Sequence, residues 1–174
     1  MSTVHAVFAA TAARTPRAAF LFTEEVTARS YGVAAGALSW GDAAAQIASL
    51  RGAYAAAGYG HGHRVGLLLE NRPAFLLHWL ALNALGVSVV PIRAALRAAE
   101  LRCLVENSEI MLAVTLAPGA ADLQRAAAEV GSRMANWTPD SPAALPVAAI
   151  RAPRENEPIT ELSECALLYT SGTT

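Results

Sequence analysis

RVGLLLENRPAFLLHWLALNALGVSVVPI, residues Arg64 to Ile92, decides the fold class because its character changes three times. Val65-Gly66-Leu67-Leu68-Leu69 is a short apolar run with no polar alternation, the composition of a strand buried on both faces. Asn71 and Pro73 then open a helix carrying Phe75, Leu76, Trp79 and Leu80, since proline is at ease in a first helical turn. Gly86 closes it, and Val87 to Ile92 is β-branched and reads as a second strand. Pro73 to Ile92 carries no charge and is long enough to span a bilayer, which takes about 20 apolar residues. His78, Asn83, Gly86, Ser88 and Pro91 interrupt it, and a helix, a turn and a strand explain the change better than one span.

Working outward, the pattern repeats. On the carboxyl side the spacing predicts a helix over Ala98–Glu106, a strand over Ile110–Thr115 and a helix over Ala120–Val130 stopped by Gly131. Five prolines between Asn136 and Pro158 mark a loop or extended connection, followed by a last strand from Cys165 to Tyr169. On the amino side, Thr3 to Ala13 reads as a short helix ended by Pro16, and Ala19–Thr23 and Ala37–Trp40 as two short strands. Ser39 with Asp42 resembles a capping box opening a helix with Ile47, Leu50, Tyr54 and Ala57 inward, and Gly58 is its left-handed stop. Apolar strands alternating with helices require parallel pairing with crossovers, so the fold class is α/β.

Bulk composition narrows the chemistry. The 174 residues are 54% hydrophobic and 16% charged, too apolar for disorder over most of the length. A net charge of -1 leaves no electrostatic footprint for nucleic acid or an anionic membrane. Every basic residue apart from histidine is arginine, which removes a phosphate-loop lysine, a Schiff base and a catalytic ammonium from this segment. Cys103 and Cys165 stand apart from each other and from histidine, without zinc spacing, and read as small buried hydrophobes. No secretory leader pattern occupies Met1 to Phe8, so a cytoplasmic setting is the default expectation. His61 and His63 flank Gly62 in what reads as a polar surface turn, and His78 as a packed histidine among Phe75, Leu77 and Trp79. Trp40, Tyr54 and Trp79 fall at core positions, and for Arg93 and Arg97 a reach to a phosphate and a plain surface position on an outer helix fit equally.

The chemistry lies at the carboxyl end. Leu167-Leu168-Tyr169 runs into Thr170-Ser171-Gly172-Thr173-Thr174, four hydroxyl residues around one glycine at the end of an apolar strand. Glycine admits a bulky anion to the backbone, successive amides form a nest, and hydroxyls add donors without bulk. By themselves these residues fit a phosphate cradle and a polar turn or linker equally. Neither G-x-x-x-x-G-K-[ST] nor G-x-G-x-x-G after a strand occurs.

Tyr169 to Thr174 resembles the opening of Y-T-S-G-[ST]-T-G-x-P-K-G, the signature of adenylate-forming (AMP-binding) enzymes, which include acyl-CoA synthetases and peptide-synthetase adenylation domains. Arg64 to Ile92, Leu96 to Val114 and Leu38-Ser39-Trp40 are similar to that family's earlier blocks, in its order and at about its spacing. Arg93 departs from it, where relatives often carry a small polar residue, and Thr23 to Leu38 is longer than a short hairpin. The resemblance implies that residues 1–174 are the amino-terminal part of the large AMP-binding domain, cut within the phosphate loop and without the small lysine-bearing domain. It implies ATP with Mg²⁺, CoA as co-substrate, and a fatty or other acyl acid activated to an acyl-adenylate. Thr170, Ser171, Gly172, Thr173 and Thr174 would begin the phosphate loop; no catalytic or metal-binding residue carries over. The piece alone is expected to be inactive and, with an apolar sheet edge uncovered, poorly soluble. An amino-acid adenylation domain and a non-catalytic α/β module are the alternatives.

Overall fold

The structure is a computed structural model that describes residues 2–139, 143–154 and 157–169. Its centre is a parallel sheet of four strands, β3 (Arg64–Leu68), β4 (Ser88–Pro91), β5 (Leu112–Thr115) and β6 (Ala135–Trp137), in the order β4-β3-β5-β6. Ahead of it stands an antiparallel pair, β1 (Ala19–Thr23) and β2 (Gly36–Ser39). The helices are α1 (Val4–Arg14), α2 (Glu25–Tyr31), α3 (Trp40–Ala56), α4 (Pro73–Asn83), α5 (Ala98–Ser108) and α6 (Ala117–Glu129).

Successive strand residues point to opposite faces, and each face has its own core. Val65, Leu67, Val89, Leu112 and Val114 pack with Phe8 of α1, Ile47 and Tyr54 of α3 and Leu77, Leu80 and Ala81 of α4. Leu68, Val90 and Ala113 face Leu101, Leu104 and Val105 of α5 and Leu123 and Ala126 of α6. Both faces are covered, so the strands carry no polar alternation.

α4 is apolar nearly all round because α1, α3 and the sheet surround it. Gly86 then turns the chain at φ 69° into β4, so helix and strand are separate elements. Among the described residues no helix is long and apolar enough to cross a membrane. The expected cap of α3 is present: Ser39 Oγ accepts the Asp42 amide at 3.1 Å and donates to its carboxylate at 2.6 Å. A helix of this kind also stops as expected, with Gly58 at φ 85°.

Four expectations need correction. Asn136 and Trp137, read as the start of a loop or extended connection, belong with Ala135 to the edge strand β6; three half-buried residues are too few to show a period. The stretch from Thr23 to Leu38, read only as longer than a short hairpin, holds α2, whose seven residues lacked an apolar stripe. Helix α6 starts at Ala117 rather than Ala120, with Pro118 in its first turn, where a missing N–H costs nothing. The strand expected over Cys165–Tyr169 narrows to a parallel bridge between Ala166 and Val89.

Candidate functional site

Parallel sheets bind ligands beyond the carboxyl ends of their strands. Here β3, β4 and β5 end around a pocket of about 220 Å³, with Glu70 and Arg72 after β3, Arg93 after β4, and Leu116 and Asp122 after β5. Glu70 lies at φ 56°, a left-handed conformation uncommon for a residue with a Cβ, so the strained residue sits at the pocket's rim. Its carboxylate holds Arg72 Nε at 3.3 Å, and the Arg72 guanidinium stands 5.4 Å from the centre of the Tyr31 ring. Arg93 lines this pocket; Arg97 instead caps α5, its amide donating to Glu100 Oε2 at 2.8 Å.

Thr170, Ser171, Gly172, Thr173 and Thr174 lie outside the described residues. The segment leading to them is described. Val89 N donates to the Cys165 carbonyl at 3.1 Å, and Leu167 N donates to the Val89 carbonyl at 2.9 Å. This run therefore lies parallel to β4, on the side away from β3. One residue earlier, Arg64 Nε and Nη2 donate to the two Glu164 carboxylate oxygens at 2.8 and 2.9 Å, a bidentate pair. Asn83, the last residue of α4, reaches the same segment, its Nδ2 donating to the Cys165 carbonyl at 2.9 Å.

The Arg64 guanidinium holds the Glu164 carboxyl below its ordinary value of 4.5. A carboxylate depressed in the folded state contributes stability above that value and loses it as pH falls through the lower, folded one. Amide protection factors at Leu167 are therefore expected to fall on acidification below pH 4.5, and to be insensitive to pH there in Glu164→Gln. A wild-type profile as flat as the variant's would refute the role of this pair.

The histidines and cysteines separate cleanly. His63, expected on a surface turn, is fully buried beneath the 144–154 strap, its Nδ1 accepting the Gly60 amide at 3.3 Å. Burial lowers its pKa. His61 stays at the surface with Nδ1 3.1 Å from the Glu157 carbonyl. His78 is packed as expected, 2.7 Å from the Tyr54 hydroxyl. Cys103 and Cys165 are exposed, not buried. Leu101, Leu104 and Val105 take the inner face of α5, which turns Cys103 outward. Cys165 lies on the outer segment beside β4. Trp40 joins Phe8 and Phe20 with ring centres 5.2 and 4.8 Å away, in the core rather than at a ligand.

Sequence reasoning missed Asn83, Arg64 and Glu164. Asn83 left a trace, as a carboxamide in a helix that is apolar apart from it and His78. The Arg64–Glu164 pair left none, its members standing 100 positions apart.

A family model of AMP-binding enzymes matches residues 8–174. The chain belongs to the AMP-binding enzyme family. Within that family it is similar to a sulfoacetate–CoA ligase of Cupriavidus necator, 32% identical over 146 residues, covering 79% of this chain and 28% of that protein. A crotonobetaine/carnitine–CoA ligase of Salmonella typhimurium is 41% identical over 56 residues, 32% of this chain and 11% of that protein. Among solved structures, a fatty acyl CoA synthetase of Mycobacterium tuberculosis superposes with a TM-score of 0.73 at 21% identity, over 97% of this chain and 32% of that one. VinN does so with 0.74 at 17%, over 99% and 41%. At those identities the two structures speak for the fold. The chain thus spans 28% of the first relative's length.

Proposed function

We propose that this chain is the amino-terminal part of the large domain of a longer acid–thiol ligase that makes acyl-CoA through an acyl-adenylate. The observation that carries this reading is a family match running to Thr174, through the hydroxyl-rich residues that follow the segment beside β4. The substrate carboxylate attacks the α-phosphorus of ATP, taken as its Mg²⁺ complex, and the bond to the β-phosphate oxygen breaks, releasing pyrophosphate. The CoA thiol then attacks the acyl carbon, loses its proton and expels AMP. Thr170, Ser171, Gly172, Thr173 and Thr174 are proposed to donate to the β- and γ-phosphates, orienting the displacement and stabilising the leaving pyrophosphate. The chain has no lysine, so the ammonium that such ligases use must come from outside residues 1–174, and these residues alone are expected to be inactive. ATP and CoA are both intracellular pools, which fits a cytoplasmic setting.

Carboxylate-dependent exchange of pyrophosphate into ATP tests the reading on the longer protein. The acid panel should span fatty acids, sulfoacetate, crotonobetaine and amino acids, because the relatives are named for small charged acids. Exchange with one acid group, and none from residues 1–174 alone, is the expected result. Exchange with amino acids alone would favour an adenylation domain of a peptide synthetase. A flat response to every acid would leave a non-catalytic α/β module.

A further inference from the structure

The Asn83 side chain is buried and ties the end of α4 to a segment 82 positions later in the sequence. Trp79 Nε1 donates to its Oδ1 at 2.8 Å, and its Nδ2 donates to the Val87 carbonyl at 3.0 Å and to the Cys165 carbonyl at 2.9 Å. This network fixes the orientation of the amide. An indole N–H is only a donor and must face oxygen, and the two carbonyls must both face the NH₂. One carboxamide thus joins the last turn of α4, the entry to β4 and the segment beside β4.

The Cys165 carbonyl accepts twice, from Asn83 and from Val89 N. Together with Leu167 N on the Val89 carbonyl and the bidentate Arg64–Glu164 pair, four consecutive residues, 164–167, are held at three of their positions. The two Val89 bonds are the Ala166 bridge itself, the one backbone pairing of this segment with the sheet among the described residues and a weak constraint on register. A slip of one residue would exchange the two faces of the segment and displace everything after it. Neither Asn83 nor Glu164 lines the pocket at the carboxyl ends of the strands.

We propose that Asn83 and the Arg64–Glu164 pair are positioning residues: they set the register of residues 164–167 against β4, and through it where the hydroxyl-rich run Thr170–Thr174 meets ATP. The second half rests on the ligase reading above.

The test uses the longer ligase with Asn83→Asp and Asn83→Leu. Aspartate keeps the acceptor for Trp79 but sets a carboxylate oxygen against two carbonyls, whereas leucine removes the amide. Two readouts apply: hydrogen exchange of the peptide spanning Glu164–Leu168, and the KM of ATP against the KM of the carboxylate. Both variants should lose protection in that peptide by about tenfold, the range for a lost buried hydrogen bond. Protection in β3 and β5 should stay as in the wild type. The KM of ATP should rise by a similar factor while that of the carboxylate stays within about twofold. Unchanged protection of residues 164–168, or equal shifts in both KM values, would overturn the proposal. A wild type without pyrophosphate exchange would remove the ligase reading and the ATP half of the inference. Lost protection in the variants would still establish the register clamp.

Discussion

Truncation of Leu112 to alanine is expected to cost about 4 kcal/mol of unfolding free energy, near the top of the range for a buried leucine. Leu112 is fully buried on β5, paired in register with Val65 on one side and Ala135 on the other. Its backbone is fixed by a neighbour on each side, so the sheet cannot collapse into the cavity, and its neighbours in this core, Val65 among them, lose contact atoms. A folded domain is stable by only about 5–15 kcal/mol, so a large share would go. Leu162→Ala is the control: that side chain is 90% exposed, and its truncation should change stability by no more than about 0.5 kcal/mol. Urea denaturation of the two variants beside the wild type, each in the longer protein, measures both. A Leu112→Ala cost below about 1 kcal/mol would contradict the packing described for β5.

Acid should act on the Tyr54–His78 pair. Burial lowers the His78 pKa from 6.5 to about 4. The Tyr54 hydroxyl, itself pushed upward by burial, stays protonated beside it. Between those two values the unfolded chain takes up a proton on His78 that the folded chain refuses, so stability falls as pH drops through that window. The expected loss attributable to His78 is about 2 kcal/mol between pH 7.5 and pH 5. His63, also lowered by burial, contributes with the same sign. Removing His78 alone would leave the buried Tyr54 hydroxyl unpaired, so the informative variant is Tyr54→Phe with His78→Leu. It should flatten the acid limb of stability against pH by that amount, read from urea midpoints. An unaltered acid limb would place the titration elsewhere.

The unit from Arg64 to Ile92 was legible because each of its boundaries is written locally. Pro73 belongs in a first turn, Gly86 takes the left-handed turn, and the β-branched run after it favours a strand. The Ser39–Asp42 cap was legible for the same reason, both partners lying within one helical turn. β6 was not, since its three residues pair only because β5 lies alongside. His63 was misread because the strap that buries it arrives from beyond residue 143. Cys103 was misread on residue type, when the spacing of Leu101, Leu104 and Val105 already placed it outward. The hydroxyl-rich run stands as a sequence reading, its residues lying outside the described ones.

By itself the sequence determined the order of the strands and helices apart from α2 and β6, the glycine and proline punctuation, the two-sided burial of β3 to β5 and the resemblance to AMP-binding enzymes. These rest on backbone preferences and periodicities shared among residues within a turn or two of one another. Only the tertiary structure decided the strand order β4-β3-β5-β6, the burial of His63, and the meeting of Asn83 and Arg64 with a segment 82 to 100 positions later. Such contacts depend on which strands come to lie side by side, and no local preference carries that information.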